Sequence, residues 1–163
     1  MDEKLEILNQ LLTQTFNDIL KVEEQSLKLT TKEAVSVTEM HILDAVGLEG
    51  GRTVTELAVA ARVTASTMTI AVNRLQAKGL VERERDGTDR RVVRVRLTPR
   101  ARTLVGAHRR FHRRMARMVV EGLSPEESDV LVRAMSNLQG FFGGESDRNG
   151  NAGRFLTDDK TDE

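Results

Sequence analysis

Apolar residues along this chain recur mostly at steps of three and four, and switch to strict alternation in one short stretch. Leu5, Leu8, Leu12, Phe16, Ile19 and Val22 form one stripe, which predicts an amphipathic helix over residues 4–29. "SVTE" (Ser36 to Glu39) has the spacing of a capping box and opens a helix carrying Met40, Leu43 and Val46, closed by Gly47 and Gly50-Gly51. "TVTE" (Thr53 to Glu56) repeats the device for a short helix with Leu57, Ala58 and Ala61 inward. Thr64 caps a further helix whose inner stripe is Met68, Val72 and Leu75 and whose end is Gly79. The alternating stretch follows. Residues 82–85 and 93–97 read as two strands, with Asp86-Gly87 as turn chemistry; Val93, Val95 and Leu97 point one way, Arg94 and Arg96 the other. Thr98-Pro99 starts a long helix to about Gly122, and "SPEE" (Ser124 to Glu127) caps a last one with Leu131, Met135, Leu138 and Phe142 on one face. Residues 143–163, rich in Gly, Asn and Asp, read as a disordered tail.

Two short helices joined tightly and followed by a β-ribbon form a winged helix-turn-helix, so the expected class is mainly α with a small β-ribbon. The exposed face of its second helix carries Ser66, Thr67, Thr69, Ile70, Asn73 and Arg74, with Thr64 at the cap. Small hydroxyl and amide groups approach base edges or phosphates without steric cost, and Ile70 is suited to a thymine methyl. The valines and leucine of the ribbon are expected to fix it to the core while its arginine-rich tip reaches a minor groove, whose negative potential favours guanidinium groups.

Charge bears on this. The chain has 25 basic and 25 acidic residues, but residues 52–102 hold twelve basic against five acidic ones, a local excess of +7 balanced by −7 elsewhere. Such a block is either a polyanion-binding face or a solvated surface, and its coincidence with the winged segment favours the first. With 31% charged and 39% apolar residues the composition is that of a soluble globular domain. The absence of cysteine excludes disulfides, thiolate metal sites and thiol redox sensing. No apolar run reaches membrane-span length and the N-terminus does not open a signal peptide, so the expected location is the cytoplasm, with no membrane partner. Tyr and Trp are absent and every Phe lies outside residues 52–102, which disfavours stacking on single strands.

"VTASTMTIAVNRLQAKGLVERERDGTDRRVVRVRLT" resembles the recognition helix and wing of the MarR family of bacterial transcriptional regulators, including an Asp-x-Arg wing motif at Asp89-Arg90-Arg91. The order of six helices and one ribbon agrees over residues 4–142. The resemblance implies a homodimer in which residues 4–29 and 98–142 interleave between two chains, with residues 36–97 as the DNA-binding lobe reading a pseudo-palindromic operator on double-stranded DNA. It implies that Arg91 contacts DNA, that Asp89 supports the wing, and that Arg90 adds a backbone contact. Many members carry an acid where this chain has Asn73 and an Arg where it has Ile70, so base preference and wing anchoring do not carry over. "FNDILKVEEQSL", "EMHILDAVG" and "HRRFHRRM" are similar to the FabT branch, repressors of fatty-acid synthesis genes, which implies acyl-acyl carrier protein as corepressor.

Two readings stand for the residues in those stretches. Phe16, Ile19, Leu20, Met40, His41, Leu43, Phe111, Met115 and Met118 either line an apolar tunnel for an acyl chain or are largely ordinary core. Arg109, Arg110, Arg113 and Arg114 either receive an acidic carrier protein or are a solvated or self-paired helix face. His108 and His112 have a metal-binding spacing but no carboxylate nearby in sequence, so no metal and no cofactor is expected. His41 and Asp44 suit a hydrogen-bonded pair, without the nucleophile an enzyme would need. Alternative functions are a MarR-type regulator answering to another small ligand or a metal, and an architectural DNA-binding protein without an effector.

Overall fold

The computed structural model describes residues 3–30, 35–49, 51–89 and 91–146. In chain order the elements are α1 (Glu3–Thr30), α2 (Val37–Val46), α3 (Val54–Ala60), α4 (Ala65–Ala77), β1 (Val81–Arg85), β2 (Val93–Leu97), α5 (Pro99–Val120) and α6 (Pro125–Ser146). Residues up to His112 form one compact unit and those from Arg113 a second, the division falling within α5. Helix α6 continues to Ser146, past the boundary at 143 expected for the tail. Residues 147–163 of that expected tail, and Gly50 of the expected α2 stop, lie outside the described residues.

Local hydrogen bonds explain why the helices start where they do. Ser36 Oγ accepts from Glu39 N at 3.1 Å while Glu39 Oε2 accepts from Ser36 N at 2.9 Å. The same reciprocal bonds join Thr53 to Glu56 and Ser124 to Glu127. Each pair satisfies two helix N–H donors that would otherwise lack partners. Thr64 caps α4 by accepting from Thr67 N at 3.1 Å. Helix α4 ends in a Schellman turn: Gly79 N donates to Gln76 O (2.9 Å) and Leu80 N to Leu75 O (3.0 Å), with Gly79 at φ +65°. Helix α3 ends the same way, with Arg62 N on Val59 O and Val63 N on Ala58 O, but here the left-handed position is held by Arg62 (φ +53°).

The first unit has a continuous apolar core. Met40, Leu43 and Val46 of α2, Leu57 of α3, Met68, Val72 and Leu75 of α4, Leu80 and Val81, and Ala101 and Val105 of α5 are all buried. The ribbon is antiparallel, with Val81 opposite Leu97, Arg83 opposite Val95 and Arg85 opposite Val93. Val95 and Leu97 reach the core, but Val93 is 40% exposed, which corrects the expectation that it helps anchor the ribbon. It stands in the pair nearest the tip, beyond the reach of the core. A short extension is added to the ribbon by Arg52, which exchanges two backbone bonds with Val95 (3.1 and 2.7 Å).

In the second unit none of the described residues is buried, and Met118, Val119, Val130, Val132, Met135 and Phe141 are exposed. The side chain of Phe142, assigned to the apolar face of α6, lies outside those described.

Candidate nucleic-acid interface

Helix α4 divides cleanly. Met68, Val72 and Leu75 are at most 1% exposed, whereas Ser66, Thr67, Thr69, Ile70, Asn73 and Arg74 all face solvent, as does the cap Thr64. The expected reading face is therefore a continuous exposed strip on a helix whose other side is locked in the core.

The ribbon is fixed to that helix by a contact that sequence reasoning missed. Arg83 of β1 donates from Nη2 to Asn73 Oδ1 (2.7 Å) and from Nη1 to Gln76 Oε1 (2.6 Å). Two planar donors meet two amide oxygens one helical turn apart, which sets the ribbon's pose against α4. The signal was present in residue types alone: Asn73 and Gln76 lie at i, i+3, and an arginine follows in the adjoining strand.

The tip is closed by Asp86. Its carboxylate accepts from Thr88 Oγ1 (2.5 Å), Thr88 N (2.9 Å) and Arg94 Nε (2.5 Å), and its own N–H donates to Val92 O (2.9 Å). The Thr88 hydroxyl first, then Arg94 and the backbone N–H groups of Thr88 and Asp89, hold this carboxyl far below the ordinary aspartate range. Arg94 also lies 3.9 Å from Glu56, and Arg96 lies 2.7 Å from Glu84. The two arginines on the polar side of β2 are thus paired within the chain. Asp89 Oδ1 accepts from Arg91 N at 2.9 Å, and Arg91 is exposed. Arg90 lies outside the described residues.

The residues expected to line an acyl tunnel are placed differently from one another. Met40 and Leu43 are fully packed core, Ile19, Phe111 and Met115 are half-buried, and Phe16, Leu20 and Met118 are 64%, 39% and 64% exposed. A cavity bounded by Glu23, Leu27, Met40, Leu104, His108 and Phe111 measures about 60 Å³, far below the volume of a long acyl chain. A larger open groove of about 920 Å³ runs along α2, α3 and α4, with Ile42, Ala45, Val63, Met68 and Ile70 on its wall.

Arg109 is held by Asp44, its Nε donating to the carboxylate and its Nη2 to the Asp44 carbonyl (3.2 Å). This corrects the expectation that Asp44 pairs with His41, and for Arg109 it matches the self-paired of the two readings. Arg110, Arg113 and Arg114 are exposed.

His41 instead faces Glu23. The Glu23 side chain is 2% exposed, with Oε2 3.8 Å from His41 Nε2 and Oε1 2.7 Å from His112 Nε2 and 4.0 Å from His108 Nδ1. The expectation of no metal rested on a missing carboxylate near the two histidines. The fold supplies one from α1, 85 positions before His108. Burial, and then His112, push the His108 imidazole below its ordinary range against the pull of Glu23.

Among the described residues no helix is long and apolar enough to cross a membrane. A sequence model of the MarR family matches residues 35–92. Over 90 residues the chain is 31% identical to YsmB, an uncharacterized HTH-type transcriptional regulator of Bacillus subtilis (strain 168), a match covering 55% of this chain and 62% of that protein's length. The crystal structure of Streptococcus pneumoniae FabT in complex with DNA is similar with a TM-score of 0.75 and 34% identity, covering 86% of this chain and 98% of that one. A MarR family protein from Bacillus stearothermophilus is similar with a TM-score of 0.61 and 26% identity, covering 88% and 99%. A likeness that spans almost the whole of these solved chains, on a fold whose ribbon is clasped to its second short helix, has one meaning: the chain belongs to the MarR family of transcriptional regulators.

Proposed function

We propose that the chain is a homodimeric, sequence-specific DNA-binding repressor of fatty-acid synthesis genes, with long-chain acyl-acyl carrier protein as its corepressor. One observation carries the DNA part: the polar strip of α4 stands exposed while Arg83 holds the ribbon beside it. In this reading α4 enters a major groove, Arg74 and the hydroxyl groups meet phosphates and base edges, and Arg91 and Arg90 reach the flanking backbone or minor groove. Dimerisation is supported by the apolar side chains left exposed on α1 (Leu5, Leu8, Leu12, Phe16) and after Arg113. Large apolar side chains left exposed along a helix mark a face that a partner covers, and a second copy is the partner that presents the same faces. Footprinting on genomic fragments tests this: protection of one pseudo-palindrome is expected, and uniform coverage would indicate an architectural protein.

The lipid assignment is supported by the likeness to FabT. The exposed Phe16 and Leu20, rather than Met40 and Leu43, are the apolar side chains open to an acyl chain in the single chain. Arg110, Arg113 and Arg114 remain the basic positions suited to the carrier. Operator affinity with long-chain acyl-carrier protein should rise about 5- to 150-fold over affinity without it. Reversing charge at Arg110 and Arg113 should abolish that rise while leaving unliganded DNA binding intact; no rise in the parent protein would end the lipid reading. The groove walled by Ile70 favours a second reading, a small apolar effector that competes with DNA for α4.

A further inference from the structure

We propose that Glu23, His41, His108 and His112 form a binding site for one divalent transition-metal ion of the zinc class per chain. The four come from three helices of the first unit, α1, α2 and α5, and their ligand atoms all lie within 4.8 Å of one another. Metal–nitrogen and metal–oxygen bonds of about 2.0–2.1 Å require ligand atoms about 3.3 Å apart in a tetrahedron. His112 Nε2 already stands 2.7 Å from Glu23 Oε1 and 3.1 Å from His108 Nε2, and His41 Nε2 lies 3.8 Å from Glu23 Oε2. With one ligand atom taken from each residue no pair is more than 4.8 Å apart, so side-chain adjustments of up to about a bond length close the shell.

Hydrogen bonding alone leaves the cluster incomplete. His112 Nε2 faces both His108 Nε2 and Glu23 Oε1, and one ring nitrogen carries at most one hydrogen. Glu23 Oε1 is buried and accepts no hydrogen bond of proper geometry. An anionic oxygen in that position is costly unless a positive partner stands in front of it. Two imidazole nitrogens and a carboxylate oxygen crowd together here with His41 close by, and a cation is the component that would satisfy them together.

The ligand types choose the ion. Three imidazole nitrogens and one carboxylate suit Zn²⁺, and Co²⁺ or Ni²⁺ after it, whereas Mg²⁺ and Ca²⁺ take oxygen shells. Four protein ligands complete a tetrahedron without a vacant position, which is a holding site rather than a hydrolytic one. Occupancy would pin α1 and α5 to α2, and α2 in turn is tied to the end of α4 through Glu39 and Lys78 (2.7 Å).

The experiment is a metal titration of chelator-treated full-length protein without DNA, so its outcome is separate from that of the operator reading. Zinc is expected to bind at one equivalent per chain and raise Tm, and Co²⁺ to give the intense visible absorption of a four-coordinate site. Loss of an outer ligand partner typically costs 10- to 100-fold in metal affinity, so Glu23→Gln and His112→Gln, which remove direct ligands, should each weaken zinc binding by at least about 100-fold. Circular dichroism checks that the variants fold. His41→Gln, at an exposed position, is the variant least able to disturb folding and should also weaken binding. Equal stoichiometry and affinity in parent and His41→Gln, or no zinc bound by the parent, would overturn the proposal.

Discussion

The arginines of the ribbon differ in how far the chain itself engages them. Arg83 keeps its charge but is anchored on two neutral amide oxygens of α4, whereas Arg94 is neutralised by Asp86 and Arg96 by Glu84. Arg91 is exposed, and its backbone N–H is engaged by Asp89. Arg91→Ala should therefore weaken operator binding by about 1–3 kcal/mol and reduce the salt slope by about one unit. Arg83→Ala should also weaken binding, by freeing the ribbon, but leave the slope unchanged; a slope reduced by one would mean that Arg83 meets phosphate directly. Asp86 makes a pH prediction whose sign follows from its depressed pKa. Its stabilisation of the tip is complete above the ordinary aspartate value of 3.8 and is lost only as pH falls through the lower folded value. Amide exchange at the tip should stay protected at pH values where ordinary carboxylates are already protonated, and Asp86→Asn should remove that protection at neutral pH.

At the scale of elements, two connections set the geometry of the winged lobe. A Cβ added at Gly51 would stand 2.6 Å from Val95 O and 2.7 Å from Arg96 Cγ, at a φ of +73°. Gly51→Ala should destabilise the lobe by about 2 kcal/mol or more, read as a lower denaturation midpoint, because the chain is squeezed there to pair Arg52 with β2. The turn between α3 and α4 runs the other way: Arg62 holds a left-handed conformation that glycine adopts without strain. Arg62→Gly should raise stability by roughly 0.5 kcal/mol, a thermal shift of about 1–2 °C. These elements were largely legible in the chain itself. "SVTE", "TVTE" and "SPEE" encode their bonds within four residues, and the Gly79 stop is equally local. Val93 was misjudged because alternation reports which way a side chain points, not how far along the strand the core extends.

For the whole molecule, legibility falls with sequence distance. Periodicity separates the buried face of α4 from its exposed face, but it does not say that Asp44 meets Arg109, that Glu39 meets Lys78, or that a carboxylate of α1 stands between histidines of α5. Those partners are chosen by packing, and any acid on a suitable helix face fits the same pattern. The exposed apolar faces of α1 and of the second unit give the molecular prediction: sedimentation at micromolar concentration should show a dimer, and charged substitutions at Leu8 and Leu12 should shift it toward monomer. The clasp between Arg83 and α4 also bears on how binding preference is retuned. Asn73 is an anchor and, in the proposed reading, also faces the operator, so replacing it should alter the DNA contact and the pose of the ribbon together. Among the described residues Ser66, Thr67 and Ile70 make no side-chain hydrogen bond to the ribbon, so an operator preference can be reassigned at those three positions one substitution at a time. A change at position 73 has to be matched by a change at position 83, and the two should covary wherever the operator has diverged.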